Sequence, residues 1–256
     1  MKKMTTNFTL AAALTLALAT LGAGMAHAQD AKPAEATPDN VVAYNVALTS
    51  DYRYRAISQS RLKPALQGGA DYTNNPTGLY AGTWLSTIHW IKDAGGDGNV
   101  EWDLYGGKRG EIVKDVSYDV GGLYYFYPSN SLQTSANTFE LYGQVGYGPG
   151  YIKYSHSLTN LFGFTDSKNS GYLDAGANIE IAEGLMLNLH AGHQKVKGTG
   201  NDVYSYSDYK IGVTKDFGIV SVSLAAIKAD TSAYVAPTNG KNLGKTGVVL
   251  TVTKTF

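Results

Sequence analysis

The chain has 256 residues, equal numbers of acidic and basic side chains, and no cysteine. These values exclude a disulfide scaffold and a thiolate metal site, and they leave no basic surface for binding nucleic acid. Charged residues are scarce at 16%, whereas 30 glycines and 19 tyrosines make those two residue types abundant. The length allows one domain of ordinary size.

The first 28 residues have the organisation of a secretory signal peptide. Two lysines precede the apolar run 10–21, and an Ala-His-Ala site ends at Ala28. A basic start, a short apolar core and an A-x-A end are typical of a cleaved signal, and the run is shorter than the roughly 20 residues of a membrane anchor. We therefore predict cleavage after Ala28, a flexible leader over 29–39 and a folded domain over 40–256.

From residue 40 onward, apolar and polar side chains alternate with a period of two. Residues 139–147, for example, place Leu141 and Val145 on one face and Glu140 and Gln144 on the other. Such alternation predicts strands with two unlike faces. The predicted strands, about twelve in number, are 40–57, 64–72, 78–90, 99–109, 117–127, 138–147, 150–158, 171–182, 185–196, 206–217, 219–229 and 245–256.

The connections between these strands alternate between long and short. The segments 128–137 and 230–244 are long, whereas 73–77, 148–149 and 183–184 are tight turns rich in glycine, proline or asparagine. Long loops at one end and tight turns at the other are typical of outer-membrane barrels, whose tilted strands need about 9–11 residues. We therefore predict an all-β fold, a transmembrane antiparallel up-and-down β-barrel of about twelve strands, with ten strands as the alternative.

The direction in which the apolar faces point is not decided by the period alone. A soluble sandwich or soluble barrel gives the same alternation with its apolar face inward. Small and polar residues on the other parity and aromatic residues near strand ends favour a membrane barrel whose apolar parity contacts lipid. The aromatic residues are Trp84, Trp90, Tyr124, Phe126, Tyr147, Tyr209 and Phe217. An inward-folded long loop is not evident in the sequence.

Charged side chains on the inward parity are candidates for lining a pore. In the segment 50–60, Asp51, Arg53 and Arg55 alternate with Tyr52 and Tyr54, so we expect the charges to face the lumen and the tyrosines to face lipid. Charges across a narrow channel bias which ions pass; the alternative is that they pair and plug the interior. The predicted pore-lining residues are Asp51, Arg53, Arg55, Glu101, Asp103, Glu140, Asp174, Glu180 and Lys210.

The last predicted strand ends on an aromatic residue. In this strand Val248, Leu250 and Val252 share their parity with the terminal Phe256, and Lys254 is the one departure. An apolar parity with a final aromatic is typical of the strand by which outer-membrane proteins are recognised for assembly. We therefore predict that these four apolar residues form an assembly signal, with the barrel-assembly machinery and outer-membrane lipids as partners.

One stretch resembles a known family. The run NVALTSDYRYRAISQSRLKPALQGGADY, followed by GLYAGTWLST, is similar to the opening signature of the TorF family of porin-like bacterial outer-membrane proteins. The likeness covers residues 40–90, and the sequence departs from the signature at Ala56 and Leu79. The matching positions are Ser50, Asp51, Tyr52, Arg53, Arg55, Ser58, Gln59, Pro64, Gln67, Gly68, Asp71, Tyr72, Gly78, Tyr80, Gly82, Trp84 and Ser86. The resemblance implies an outer-membrane barrel and a pore.

Together these features predict an outer-membrane porin-like channel for passive diffusion of small hydrophilic solutes or ions, with no cofactor and no enzymatic activity. A non-conducting structural or adhesive barrel is the alternative, and an outer-membrane hydrolase is a further one. A hydrolase would have to use Ser155, His156 and Ser157, because no G-x-S-x-G or H-E-x-x-H motif is present.

Overall fold

The computed structural model describes residues 38–256, so the predicted signal peptide and most of the predicted leader lie outside the described residues. Within that range, no helix has the length and apolar composition needed to cross a membrane. The strands are β1 Asn40–Thr49, β2 Arg53–Tyr54, β3 Ile57–Ser58, β4 Ala65–Asn74, β5 Leu79–Thr87, β6 Val100–Val113, β7 Val116–Phe126, β8 Thr138–Tyr147, β9 Gly150–Ser157, β10 Gly171–Ala182, β11 Leu185–Lys195, β12 Tyr206–Asp216, β13 Ser221–Ala229 and β14 Gly247–Thr255. The helical segments are α1 Trp90–Asp93 and the 3₁₀ helix Asn201–Tyr204.

The long strands form a closed antiparallel barrel. Each long strand pairs with the next one along the chain, and β1 closes the ring by pairing with β14, where Asn45 lies opposite Thr255. The prediction of a twelve-stranded antiparallel barrel is confirmed, and the ten-stranded alternative is wrong. The short strands β2 and β3 pair only with each other, outside the ring.

The two ends of the barrel differ as the sequence predicts. At the turn end, Gly148 and Gly184 have positive φ, which suits two-residue turns between antiparallel strands. At the loop end, six longer segments connect the strands. We name them L1 (50–64), L2 (88–99), L3 (127–137), L4 (158–170), L5 (196–205) and L6 (230–246).

The outer surface of the barrel is apolar, as the alternation predicts. On β8, Leu141 and Val145 are exposed on the outside, whereas Glu140 and Tyr142 are buried inside. Exposed apolar side chains recur on nearly every strand, and an apolar surface of this extent requires lipid or another apolar partner. Two of the aromatic residues that favour a membrane barrel in the sequence do not lie near strand ends on the outer surface. Trp84 is buried in the interior, and Trp90 lies in α1.

Several tyrosine rings lie across glycines on neighbouring strands. A Cβ added at Gly192 of β11 would collide with the hydroxyl of Tyr172 on β10, and one at Gly107 of β6 would collide with that of Tyr80 on β5. Only glycine permits this close approach. The rings can therefore lie flat along the inner wall, where their hydroxyls reach polar partners on the next strands.

L1 folds into the barrel, which corrects two predictions. The first strand ends at Thr49 and does not continue to residue 57, and the expectation of no inward-folded loop is wrong. Arg55 and Ala56 have φ of 45° and 64°, and this left-handed backbone reverses the chain into the short β2–β3 hairpin. Because the chain is not extended there, the alternation of faces fails, and Tyr52 and Tyr54 are buried inside the barrel, not against lipid.

Candidate functional site

The β2–β3 hairpin of L1 is fixed by an internal ion pair. Arg53 Nε donates to Asp51 Oδ2 at 2.7 Å, and Ser58 Oγ donates to Asp51 Oδ1 at 2.5 Å. Arg53 Nη1 also donates to the carbonyl of Lys245 in L6 at 2.7 Å. Since these partners are themselves in L1 or L6, the charges of Asp51 and Arg53 are satisfied within the loops.

Arg55 anchors L1 to the far wall of the barrel. Its guanidinium donates to both carboxylate oxygens of Glu140 on β8, at 2.7 and 3.1 Å, and to Gln194 Oε1 on β11 at 2.5 Å. The guanidinium also lies 4.2 Å from the ring centroid of Tyr172. Both members of the ion pair are buried, with 6% and 2% of their side chains exposed. Such two-pronged pairing fixes the position of the loop as well as its charge.

Tyrosine hydroxyls form a second set of contacts between L1 and the wall. Tyr52 donates to Glu101 on β6, which also accepts from Tyr127 Oη at 2.7 Å. Tyr54 shares a hydrogen bond of 2.5 Å with Tyr125 on β7. On the other side, Tyr206 of β12 donates to the carbonyl of Arg55 at 2.9 Å.

Apolar contacts seat L1 against both sides of the barrel. Ala56 and Ile57 belong to a buried cluster with residues of β13 and β14, among them Ala225, Ile227 and Val249. Tyr52 and Tyr54 belong to a second buried cluster with residues of β5, β7 and β8, among them Trp84, Leu123 and Tyr142. L1 therefore crosses the lumen from wall to wall and narrows its loop-end half.

Interior carboxylates generally accept hydrogen bonds from tyrosine. The pairs are Asp71 with Tyr105, Glu101 with Tyr52 and Tyr127, Asp119 with Tyr80, Glu140 with Tyr125, Asp174 with Tyr151, and Asp208 with Tyr172. Asp51 instead accepts from Arg53 and Ser58. Asp103 is fully buried, and neither carboxylate oxygen has a donor among residues 38–256, although a buried polar group ordinarily requires one.

A layer of charge lies deeper in the barrel, below L1. His190 on β11 stands between two carboxylates, with Nδ1 2.9 Å from Asp174 Oδ1 and Nε2 2.6 Å from Asp208 Oδ1. Since a carboxylate accepts hydrogen bonds, each ring nitrogen is placed to donate. The histidine thus links β10, β11 and β12 across the inner wall.

Two lysines of this layer have no ion-pair partner. Lys153 on β9 lies 4.0 Å from the ring centroid of Tyr142, and Lys210 on β12 is half-buried on the inner face. Over the part of the chain that the structure describes, no carboxylate lies within ion-pair distance of either ammonium group. Arg109 on β6, whose guanidinium donates to Thr73 Oγ1 at 2.9 Å, is a third interior cation without an ion-pair partner among the described residues.

Eight of the nine predicted pore-lining residues are placed at three levels. Asp51, Arg53 and Arg55 are buried in L1; Glu101, Asp103 and Glu140 are buried on the wall around it; Asp174 and Lys210 lie in the deeper layer. Glu180 is exposed near the turn end, where it accepts from the backbone N–H of Gly184 at 3.2 Å. Sequence reasoning missed the interior residues Asp71, Arg109, Asp119, Lys153, His190 and Asp208.

The inward parity of each strand was the signal that could have found these residues. Lys153 shares its parity with the buried Ser155 and Ser157, and His190 lies on the polar parity of β11. The opposite wall, formed by β13, β14 and β1, instead presents small uncharged side chains. The interior charge is consequently concentrated on one side of the barrel, from β4 to β12.

The residues considered for hydrolysis do not form a catalytic group. Ser155 and Ser157 are buried inside, whereas His156 lies on the other parity and contacts Asn169 Oδ1 at 3.2 Å. Among the described residues, no hydrogen bond joins this histidine to either serine, and no cluster of three or more metal-ligating side chains is present.

L1 is also attached to L2 at the loop end. Arg61 Nε donates to Asp93 Oδ2 of α1 at 2.9 Å. The half-buried His89 precedes α1, and its Nδ1 is buried without a partner in the range 38–256. Burial lowers the pKa of His89, and the positive charges of Arg61 and Lys63 lower it further.

The residues of the predicted assembly signal all lie on the outside of β14. Val248, Leu250, Val252 and Phe256 are exposed, and the ammonium group of Lys254 lies 5.1 Å from the centroid of the Phe256 ring. The role of these residues in assembly stays a prediction.

Comparison with known proteins relates the fold to that of porins. The KdgM porin is 5% identical, with a TM-score of 0.53 over 84% of this chain and 97% of that one. The NanC porin is 9% identical, with a TM-score of 0.56 over 84% of this chain and 99% of that one. LpxR from Salmonella typhimurium is 12% identical over 84% of this chain and 99% of that one, with a lower TM-score of 0.43. At these identities the two porins show a shared fold.

The sequence itself places the chain in a family. No curated protein matches it. Residues 33–256 match the family described as "Bacterial protein of unknown function (Gcw_chp)". This description does not carry the TorF name, so the resemblance to the TorF family stays a prediction. Because the match covers most of the chain, the protein, a closed twelve-stranded barrel with an inward-folded first loop, belongs to the Gcw_chp family.

Proposed function

We propose that the protein is an outer-membrane porin-like channel that passes small hydrophilic solutes or ions by passive diffusion, and that L1 forms its narrowest part. The observation that carries this proposal is the pairing of an apolar exterior with an interior of charged and polar side chains crossed by one inward-folded loop. A water-filled lumen accommodates such side chains, and an inward loop limits the size of what passes.

The two halves of the lumen support a passage restricted at one level. At the turn-end half, interior residues such as Asn178, Asn188 and Lys210 are only half-buried. In the loop-end half, the L1 residues from Asp51 to Ser58 are buried. A solute would therefore meet its main barrier at L1, and we expect a small conductance.

The deeper layer supports ion discrimination. Most interior carboxylates are engaged by tyrosine hydroxyls or by cationic side chains, whereas Lys153 and Lys210 are not paired. An unpaired charge facing a narrow lumen acts directly on passing ions. We propose these lysines, with the predicted pore-lining residues, as determinants of ion preference.

The proposal includes export and assembly. The signal peptide would be cleaved after Ala28, the apolar exterior would contact outer-membrane lipids, and the exposed residues Val248, Leu250, Val252 and Phe256 would be read by the barrel-assembly machinery. L1 to L6 would then face the outside of the cell, since long loops of such barrels are extracellular.

A non-conducting structural barrel is the second candidate. The observation that favours it is the seating of L1 between two buried apolar clusters, one on each side of the lumen. If L1 does not move and leaves no continuous path, the barrel is an anchor and not a channel.

Planar-bilayer recording of the purified, detergent-refolded protein tests the choice. We expect discrete single-channel steps from the wild type and larger steps from a variant in which residues 53–58 are replaced by a Gly-Ser linker. Circular dichroism and heat-modifiable gel mobility would verify that both proteins are folded barrels. Folded protein that conducts in neither form would overturn the channel and leave the structural barrel.

A further inference from the structure

A preformed cavity of about 630 Å³ lies at the loop end, on top of L1. L1 forms its floor, L2, L3, L4 and L6 form its sides, and β11 and β12 contribute one residue each. Seven aromatic residues contribute to the lining: Tyr54, Trp90, Tyr127, Phe162, Phe164, Tyr206 and Tyr234. A volume of 300–1,000 Å³ with a mainly apolar lining is typical of small-molecule sites.

The aromatic rings brace one another around the cavity. Phe162 packs edge-on against Tyr54 with ring centroids 5.5 Å apart, and Trp90 packs edge-on against Tyr127 at 5.0 Å. Tyr234 lies 5.4 Å from Tyr206 in the same geometry. Edge-to-face contacts at these distances are mutually stabilising, so the rings are held in place before any ligand binds.

The lining contains no unpaired charge. Arg55 is paired with Glu140, and Asp93 is paired with Arg61; the lining includes no other Asp, Glu, Lys or Arg. An ionised ligand would lose hydration here without gaining a counter-charge, which is costly in an apolar site. The cavity therefore favours a neutral molecule.

Most polar groups of the lining are already engaged. Ser58 donates to Asp51, Gln59 Nε2 to the carbonyl of Ile57, and Thr134 shares a hydrogen bond with Thr165. A sugar, which presents many hydroxyl groups, would find few free partners.

We propose that this cavity binds a neutral molecule built on an aromatic or similarly flat apolar ring. The ring would stack among Trp90, Phe162, Phe164 and Tyr234, above the L1 residues Tyr54 and Arg55. The site does not require that the barrel conducts, because the cavity lies on the outer side of L1. A ligand there would contact the segment that narrows the lumen.

Isothermal titration of the full chain in detergent tests this site, with 2-naphthol as the neutral ring probe. 2-Naphthoate serves as the ionised ring of matched size and maltose as the neutral sugar; titrations into empty micelles are subtracted. We expect 2-naphthol to bind at least about tenfold more tightly than 2-naphthoate, because the latter would bury an unpaired charge. Maltose should give no measurable binding.

Two variants locate the binding. Ala233 lines the cavity, so Ala233→Trp should weaken 2-naphthol binding at least about tenfold by filling the space, whereas Ser232→Trp, at the adjacent exposed position, should leave it unchanged. If Ala233→Trp does not fold, Phe164→Ala, which removes one lining ring, should weaken binding severalfold.

Equal 2-naphthol affinity in a folded Ala233→Trp or Phe164→Ala variant would overturn the assignment. So would 2-naphthoate or maltose binding as tightly as 2-naphthol.

Discussion

The two halves of the lumen satisfy their charges in different ways. In the loop-end half, the chain supplies the partner from its own L1: Arg55 enters from the loop and pairs with Glu140 on the wall. In the turn-end half, no loop enters, and tyrosines lying across glycines on the wall provide the partners, as Tyr80 does for Asp119 at 2.6 Å. Lys210 is left half-buried there.

This difference separates charges that hold the structure from charges that face the lumen. A buried pair such as Arg55 and Glu140 fixes L1, and removing either partner leaves an unpaired buried charge. Lys153 and Lys210 do not hold a segment in place as Arg55 and Glu140 hold L1, since neither lysine has an ion-pair partner among the described residues. The inward fold of L1 thus places structural charges at one level, and strand alternation places the functional candidates at another.

The largest expected effect comes from removing the hairpin that fills the loop-end half. Replacing residues 53–58 by a Gly-Ser linker of equal length should raise single-channel conductance severalfold, because the segment that crosses the lumen would be gone. Planar-bilayer recording measures the change. A linker of equal composition replacing the exposed residues 237–240 of L6 is the matched control and should leave conductance unaltered.

Arg55→Ala should destabilise the folded barrel by about 3–5 kcal/mol, because Glu140 and Gln194 would lose their buried partner. Urea unfolding in detergent micelles, followed by the gel mobility of the folded form, measures the loss. Combining the change with Glu140→Gln should recover part of it, since no unpaired charge would remain.

Lys195→Ala is the control for that measurement. Lys195 forms an exposed ion pair with Asp202 at the loop end, and such surface pairs contribute little. A loss in this control as large as in Arg55→Ala would show that burial of the pair is not what stabilises L1.

Changes in the deeper layer should alter ion preference with little change in stability. Lys153→Gln combined with Lys210→Gln removes two unpaired positive charges from the lumen, so permeability should shift toward cations. Reversal potentials in a salt gradient measure the shift. Lys228→Gln, which removes an exposed lysine at the end of β13, is the matched control.

Arg53→Ala with Arg55→Ala should move the reversal potential in the same direction, because Asp51 and Glu140 would lose their counter-charges. If the reversal potential is unchanged in both double variants, these lumen charges do not determine ion selectivity.

The smallest expected effect concerns pH and His89. Its pKa in the folded protein is lowered from the ordinary 6.5 by burial and by neighbouring positive charge. The unfolded chain therefore takes up a proton at a higher pH than the folded protein does, so stability should decline as the pH falls below about 6.5. His89→Gln should flatten this decline in urea titrations between pH 7 and pH 5.

His193→Gln is the comparison for the pH measurement, because His193 is exposed on β11 and contacts Ser207 Oγ at 3.1 Å. If His193→Gln flattened the decline as much as His89→Gln does, the flattening would not be specific to His89. If His89→Gln does not change the pH dependence of stability, other groups cause the decline.

Much of the barrel could be predicted because a spanning strand repeats a simple rule. Side chains alternate between lipid and lumen, as Leu141 and Glu140 do on β8, and tight turns rich in glycine separate the strands. The interior partners could not be predicted in the same way. That Tyr172 reaches Asp208 and that His190 joins Asp174 to Asp208 depends on the register of neighbouring strands.

The sequence by itself indicated a barrel of about twelve strands with an outward apolar face. The local period of two predicted the strands, the alternation of long and short connections predicted the barrel, and the small and polar residues on the inward parity indicated which face contacts lipid. Only the tertiary structure decided the fate of the segment from Asp51 to Ser58. Its charged and aromatic residues alternate as they would in a strand, but the left-handed backbone at Arg55 and Ala56 turns the segment into the lumen. Partners distant in sequence, such as Glu140 and Gln194, stabilise it there, and no local pattern encodes such contacts.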